Sequence, residues 1–308
     1  MVSYFFDKSK PVNFLVINTL FALYFVLVSV QEFNNFETLS GLLLNKTKVL
    51  IVFMALFLLF NFIVTKNNLT HNNTYAFLFY VILIGLFPTV ITADLHISLT
   101  ITFLFLLRKI YSLKSTKNLF KKLFDAGFWI GLSFILEPFS ILFFLLVYTA
   151  VIVHKKEGIQ TLIIPFLGFV IPLFLYFTYC YWNDMSSEFE QLFHWQSSFN
   201  FYIYRDLNYY FQFIFIGFFV FFSVLIKTLK VFSISNSFKK NWTLLVVNLL
   251  ISIGLLLFFK ERDGSELLLL FFPVAIILAN GIEMIQKTWI KEFILWFVLI
   301  GSFTKILF

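Results

Sequence analysis

The residues able to do chemistry are few. Asp94 and His96 stand two apart in TADLHISLT, Glu32 and Glu37 in QEFNNFETLSGLL, and Glu137 directly before Pro138 inside an apolar run. Carboxylates near a bilayer are costly, so each needs a reason. Asp94 with His96 could face a site at a membrane boundary, and Glu32 with Glu37 could form a carboxylate site there. Arg205-Asp206 and Lys260-Glu261-Arg262-Asp263 bring both signs together, and Arg grips phosphate through two parallel hydrogen bonds. Plainer readings stand beside these. Asp94 suits a helix cap, Glu32 and Glu37 suit solvated loops, and the arginines suit local salt bridges. Glu137 suits a hairpin tip in the headgroups; if buried, it calls for a neutral carboxyl or a basic partner such as Arg205 or Arg262.

Other chemistries lack their residues. A lone cysteine, Cys180, excludes a disulfide framework and a cysteine metal site, and the count of only four histidines argues against a multi-histidine centre. The chain has no phosphate-binding Walker loop, no GxSxG and no HExxH. No metal and no cofactor are expected.

The elements that must position these residues are membrane helices. Of 308 residues 60% are hydrophobic and 13% charged, with mean hydropathy +0.92; soluble domains carry about 25% charged residues. The net charge of +7 reads as basic cytoplasmic loops rather than nucleic-acid binding. Apolar runs near 12–31, 49–65, 75–93, 97–113, 160–181, 210–226, 241–259, 267–285 and 290–308 are candidate spans. The run 126–153 is flanked at both ends by lysines and broken at Glu137-Pro138. Proline disfavours helix at itself and at the residue before it, so this run reads as a short helical hairpin. The expected fold is therefore all-α, a polytopic transmembrane bundle of about 10–11 segments in a single integral membrane domain, 1–308. It puts the N-terminus in the cytoplasm, most Lys and Arg inside and most acids outside. Residues 182–209, mixed aromatic and polar, read as an outer loop or interfacial helix, and 114–124 (KSTKNLFKKLF) as a basic amphipathic segment on the inner surface.

Three stretches resemble the C-type, polyprenol-dependent glycosyltransferase superfamily: TADLHISLTITFLFLLRKI, DAGFWIGLSFILEPFSILFFLLVY and ERDGSELLLLFFPVAIILANGIE. They match, in turn, an outer-loop acid followed by a helix with basic residues at its end, a small-residue helix broken at proline, and a late span with a mid-helix proline. The resemblance implies an outer-face site that takes a sugar from a polyprenyl-phosphate carrier. Asp94 and Glu32 would be candidate bases, and Arg205, Arg262, Glu137 and His96 would be candidate ligand-binding residues. That superfamily often has a basic residue where Glu137 stands, and its members are usually longer. The opening FFDKSKPVNFLVINTLF and the overall layout also look like an uncharacterised family of polytopic proteins from Bacteroidota.

The leading expectation is an inner-membrane protein with glycosyltransferase-like architecture, acting in lipid-linked sugar or envelope glycan metabolism. Its expected partners are the bilayer and a polyprenyl-phosphate-linked substrate. A non-catalytic subunit that scaffolds other envelope membrane proteins is the alternative, and a transporter is the second. The residues leave open whether the chain is an enzyme.

Overall fold

The computed structural model describes residues 2–31, 39–195, 201–205, 207–231, 236–259 and 262–307. Glu32, Glu37, Asp206, Lys260 and Glu261 lie outside them. Among the described residues there are thirteen α-helices and no strand: α1 (Val2–Phe6), α2 (Pro11–Gln31), α3 (Leu39–Asn67), α4 (Tyr75–Leu86), α5 (Asp94–Ser112), α6 (Leu119–Leu136), α7 (Phe143–Val153), α8 (Ile159–Trp182), α9 (Ser186–Gln191), α10 (Leu207–Val231), α11 (Asn236–Phe258), α12 (Leu268–Met284) and α13 (Thr288–Leu307). Seven helices among the described residues are long and apolar enough to cross a membrane, and the stretches Tyr75–Leu86 and Pro138–Val153 are shorter apolar helices. The all-α polytopic bundle is as expected.

Proline placement decides where the apolar runs break. The expected break at Glu137-Pro138 is present: Glu137 is extended (φ −147°, ψ 109°), α6 ends before it, and a 3-10 turn, Pro138–Leu142, leads into α7. A second break was not foreseen. The run 75–93 is not one helix, because α4 stops at Leu86, Phe87 leaves helical geometry (φ −126°, ψ 72°), and a 3-10 turn, Pro88–Ile91, follows. The cause is the same in both places: proline has no N–H to donate and crowds the preceding residue out of the helical region. Pro165, Pro172 and Pro273 stay inside α8 and α12, where neighbouring groups in a bundle can satisfy the freed carbonyls.

The chain forms two compact units. The first comprises Met1–Asp94, Phe201–Phe238 and Arg262–Phe308, the second Leu95–Asn200 and Lys239–Glu261. In the first unit α4 is central. All twelve of its residues are buried, and it packs against α2, α3, α12 and α13. A helix apolar all round belongs inside a bundle. Tyr24 of α2 lies against Gly85 of α4, where a Cβ would come within 2.6 Å of its ring, and its hydroxyl is hydrogen-bonded to Ser302 of α13. At one end of this unit, Glu292 of α13 accepts hydrogen bonds from the Val2 and Ser3 amides and the Ser3 hydroxyl, which holds α1 in place.

In the second unit the closest pairing is α6 with α8. Gly127, Gly131 and Gly168 form the seam: a Cβ on them would sit 1.8 Å from the Pro165 carbonyl oxygen, 2.5 Å from that of Phe169 and 2.1 Å from that of Phe124. Small residues at four-residue spacing let membrane helices approach backbone to backbone. The helix α5 lies against α6 and α7 through stacked Phe105–Trp129 and Phe103–Phe143 rings, a Thr102–Ser133 hydroxyl bond and a 2.6 Å Lys109–Asp125 ion pair.

Candidate functional site

Three connecting segments meet at one end of the first unit. They are the 3-10 turn Pro88–Ile91, which leads to Asp94, the 3-10 turn Tyr202–Arg205 before α10, and the turn Arg262–Leu267 before α12. The last of these is shaped by its own residues. Gly264 adopts φ +92°, a left-handed backbone that favours glycine. Asp263 Oδ1 accepts the Ser265 amide at 2.9 Å and Glu266 Oε2 accepts the Gly264 amide at 2.9 Å. A side chain at 264 would also crowd the Tyr209 hydroxyl (3.1 Å) and Thr89 Oγ1 (3.2 Å), so the glycine draws α10 and the Pro88 turn onto this loop.

Glu266 is the hub. It is fully buried, and its Oε1 accepts the Tyr204 hydroxyl. Burial and then the Glu266 charge push the Tyr204 hydroxyl well above its ordinary pKa, so it stays protonated and keeps donating. Arg262 is also buried, and its guanidinium lies 3.9 Å from the Phe201 ring centroid, a cation–π contact. Nearby, Lys305 of α13 lies 4.8 Å from the Tyr209 ring centroid. The result is a buried cluster of arginine, protonated tyrosine and carboxylate beside aromatic rings.

Of the residues expected from sequence, this end gathers the segments that carry Asp94, Arg205 and Arg262. Asp94 is exposed in the first turn of α5. Arg205 closes the turn whose Tyr204 is bound to Glu266. Glu32 lies outside the described residues. His96 and Glu137 belong to the second unit: His96 is buried with its ring 5.2 Å from Phe259, and Glu137 is half-buried between α6 and the Pro138 turn. Sequence reasoning missed Tyr204, Gly264 and the centrality of Glu266. The available signal was an acid directly before the apolar run LLLLFFP, a placement that calls for a partner.

A cavity of about 270 Å³ lies within the first unit, between α4, α10, α12 and α13. Phe79, Leu83, Phe219, Leu278 and Ile294 line it, with Ser223 as a polar wall. Its wall on α10 runs from Phe215 to Ile226, about 16 Å at roughly 1.5 Å per residue. Beyond it, at the opposite end of the unit, Glu283 accepts the His71 amide at 3.0 Å and the Asn73 side chain at 2.6 Å, and lies 3.9 Å from buried Lys227. Among the described residues no cluster of three metal-ligating side chains occurs.

These features define a class: a multi-pass, all-α membrane protein with a buried polar cluster at one end of a helix bundle. The chain belongs to a family of unknown function, DUF6427, which matches residues 8–306. No curated protein and no solved structure matches it. The resemblance to an uncharacterised polytopic family holds in this form; the resemblance to C-type glycosyltransferases rests on the quoted stretches alone.

Proposed function

We propose that the protein is an inner-membrane enzyme of lipid-linked sugar metabolism, with its N-terminus cytoplasmic and its site at the end where Asp94, Arg205 and Arg262 lie on converging segments. The observation that carries this reading is that convergence, pinned by the Tyr204–Glu266 and Arg262–Phe201 contacts. The phosphate of a polyprenyl carrier would meet the arginines, which suit it by charge and geometry. Its chain would follow the apolar cavity along α10. Exposed Asp94 would take the proton of the acceptor hydroxyl, for which general-base work needs hydrogen-bond reach in the bound complex. Glu32 remains the second candidate base.

The test is binding of undecaprenyl phosphate to the purified protein in nanodiscs, followed by transfer from its glycosylated form. Arg205→Gln should weaken carrier binding with little effect on folding. Asp94→Asn should leave binding intact and lower transfer by about 10²–10⁴-fold, the usual worth of a positioned base. Binding that ignores Arg205, or a silent Asp94→Asn, would favour the non-catalytic scaffold.

A further inference from the structure

The second unit carries a basic end that the proposed sugar chemistry does not use. Lysines from three places lie around His154: Lys114 after α5, Lys156 between α7 and α8, and Lys240 in α11. The start of α6 is tied to the end of α5 because Lys122 donates to the Ser112 and Ser115 carbonyls. His154 caps α7 in their midst. It is 7% exposed, and among the described residues its Nε2 is buried without a hydrogen-bond partner.

Burial and then the charges of Lys240, Lys156 and Lys114 hold the His154 pKa down to about 4. Those three lysines have no salt bridge among the described residues, and Asp125 at this end is occupied by Lys109. Three cations from three segments and an unused ring nitrogen, with the exposed Glu157 beside Lys156 as the one acid adjoining them in sequence, make a site short of its counter-charge. Apolar surface adjoins it: α8 begins three residues after Lys156, with Ile159 78%, Leu162 51% and Ile163 51% exposed.

We propose that His154, Lys114, Lys156 and Lys240 bind the phosphate of an anionic phospholipid, whose acyl chains run along the exposed face of α8. Basic pockets at the ends of transmembrane helices take anionic headgroups in this way. The lysine chains are long enough to swing onto the phosphate oxygens, and the imidazole, whose Nε2 is covered in this structure, donates to one of them once its ring turns outward. Lipid rather than soluble phosphate is favoured by the apolar wall on α8 beside the charges.

Fluorescent phosphatidylglycerol titrated into the protein in neutral detergent tests this. Each lysine is worth about fivefold, so Lys156→Gln with Lys240→Gln should raise Kd about 25-fold. The charge-matched control, Lys117→Gln with Lys121→Gln, should change it far less. An equal loss in both doubles would mean diffuse surface charge and would overturn the site. A second readout is independent of affinity: the His154 ring, followed by NMR in nanodiscs, should titrate near 4 in phosphatidylcholine and distinctly higher when phosphatidylglycerol is present. No movement would overturn the proposal. Inorganic phosphate that moves the ring as far, and displaces the lipid, would overturn the lipid assignment in favour of a soluble phosphate. All four exchanged lysines are exposed or half-exposed, so folding should survive, and the untouched proposed sugar site keeps the two readings separable.

Discussion

Single side chains at the two polar ends carry opposite kinds of cost. Glu266 is a carboxylate with no exposure, tolerated because Tyr204 and the Gly264 amide donate to it. Removing the hydroxyl leaves that oxygen short of a donor in a dry site, which costs about 1–3 kcal/mol. Tyr204→Phe should therefore lower thermal stability by that order while keeping the ring contacts with Tyr209 and Phe213; an unchanged melting curve in nanodiscs would show the bond to be dispensable. His154 has the reverse problem, a base kept neutral among lysines. Its pKa falls from 6.5 to about 4 on folding, so below 6.5 the unfolded chain binds a proton that the folded chain does not. Stability should fall as pH drops from about 6.5 to about 4 in neutral lipid, and His154→Gln should flatten that slope.

Helices in this protein are placed by breaks and close approaches rather than by polarity. Glu137-Pro138 was legible in sequence because an acid and a proline interrupt a long apolar run. Phe87-Pro88 was not, since the same backbone chemistry lies there without a charged residue beside the proline. Its effect is on placement: the turn after Pro88 brings Thr89 to Gly264 and precedes the start of α5 at Asp94. The α6–α8 seam makes a sharper prediction. A Cβ on Gly127 would fall only 1.8 Å from the Pro165 carbonyl oxygen, so even Gly127→Ala must part the helices. Overpacking of this kind costs about 1–3 kcal/mol, measurable as a lower unfolding midpoint. At Gly217, where a Cβ meets nothing within 4 Å, the same substitution should be tolerated.

At the scale of the molecule, charge and connectivity predict a sidedness. In the first unit, Ser9 pairs with Asn72 and Glu283 with His71 at one end, whereas Asp94, Arg262 and Glu266 lie at the other. Single cysteines can read this, because the one native cysteine, Cys180, is buried and can be exchanged for serine. Exposed Lys10 and Lys287, replaced by cysteine, should react with an impermeant label from the cytoplasmic side. Asp94 and Asp263, likewise exposed, should react from the outer side. Labelling of Lys10→Cys and Asp94→Cys from the same face would reverse the proposed orientation or break the bundle reading.

Composition and hydrophobic run length alone determined that the chain is an all-α membrane protein and where nearly every helix lies. The cost of placing polar backbone in hydrocarbon leaves no other solution for such a sequence. They could not tell a lipid-facing helix from an enclosed one, because both are apolar. Only the tertiary structure made α4 the centre of its unit, with every residue buried, and left α8 with a largely exposed face. Asp94, Arg205 and Arg262 were recognisable by type, yet the meeting of the segments that carry them depends on Tyr204, Glu266 and a left-handed Gly264. Those contacts join residues 62 positions apart (Tyr204 to Glu266), and spacing along a chain says nothing about partners that only folding brings within hydrogen-bond reach.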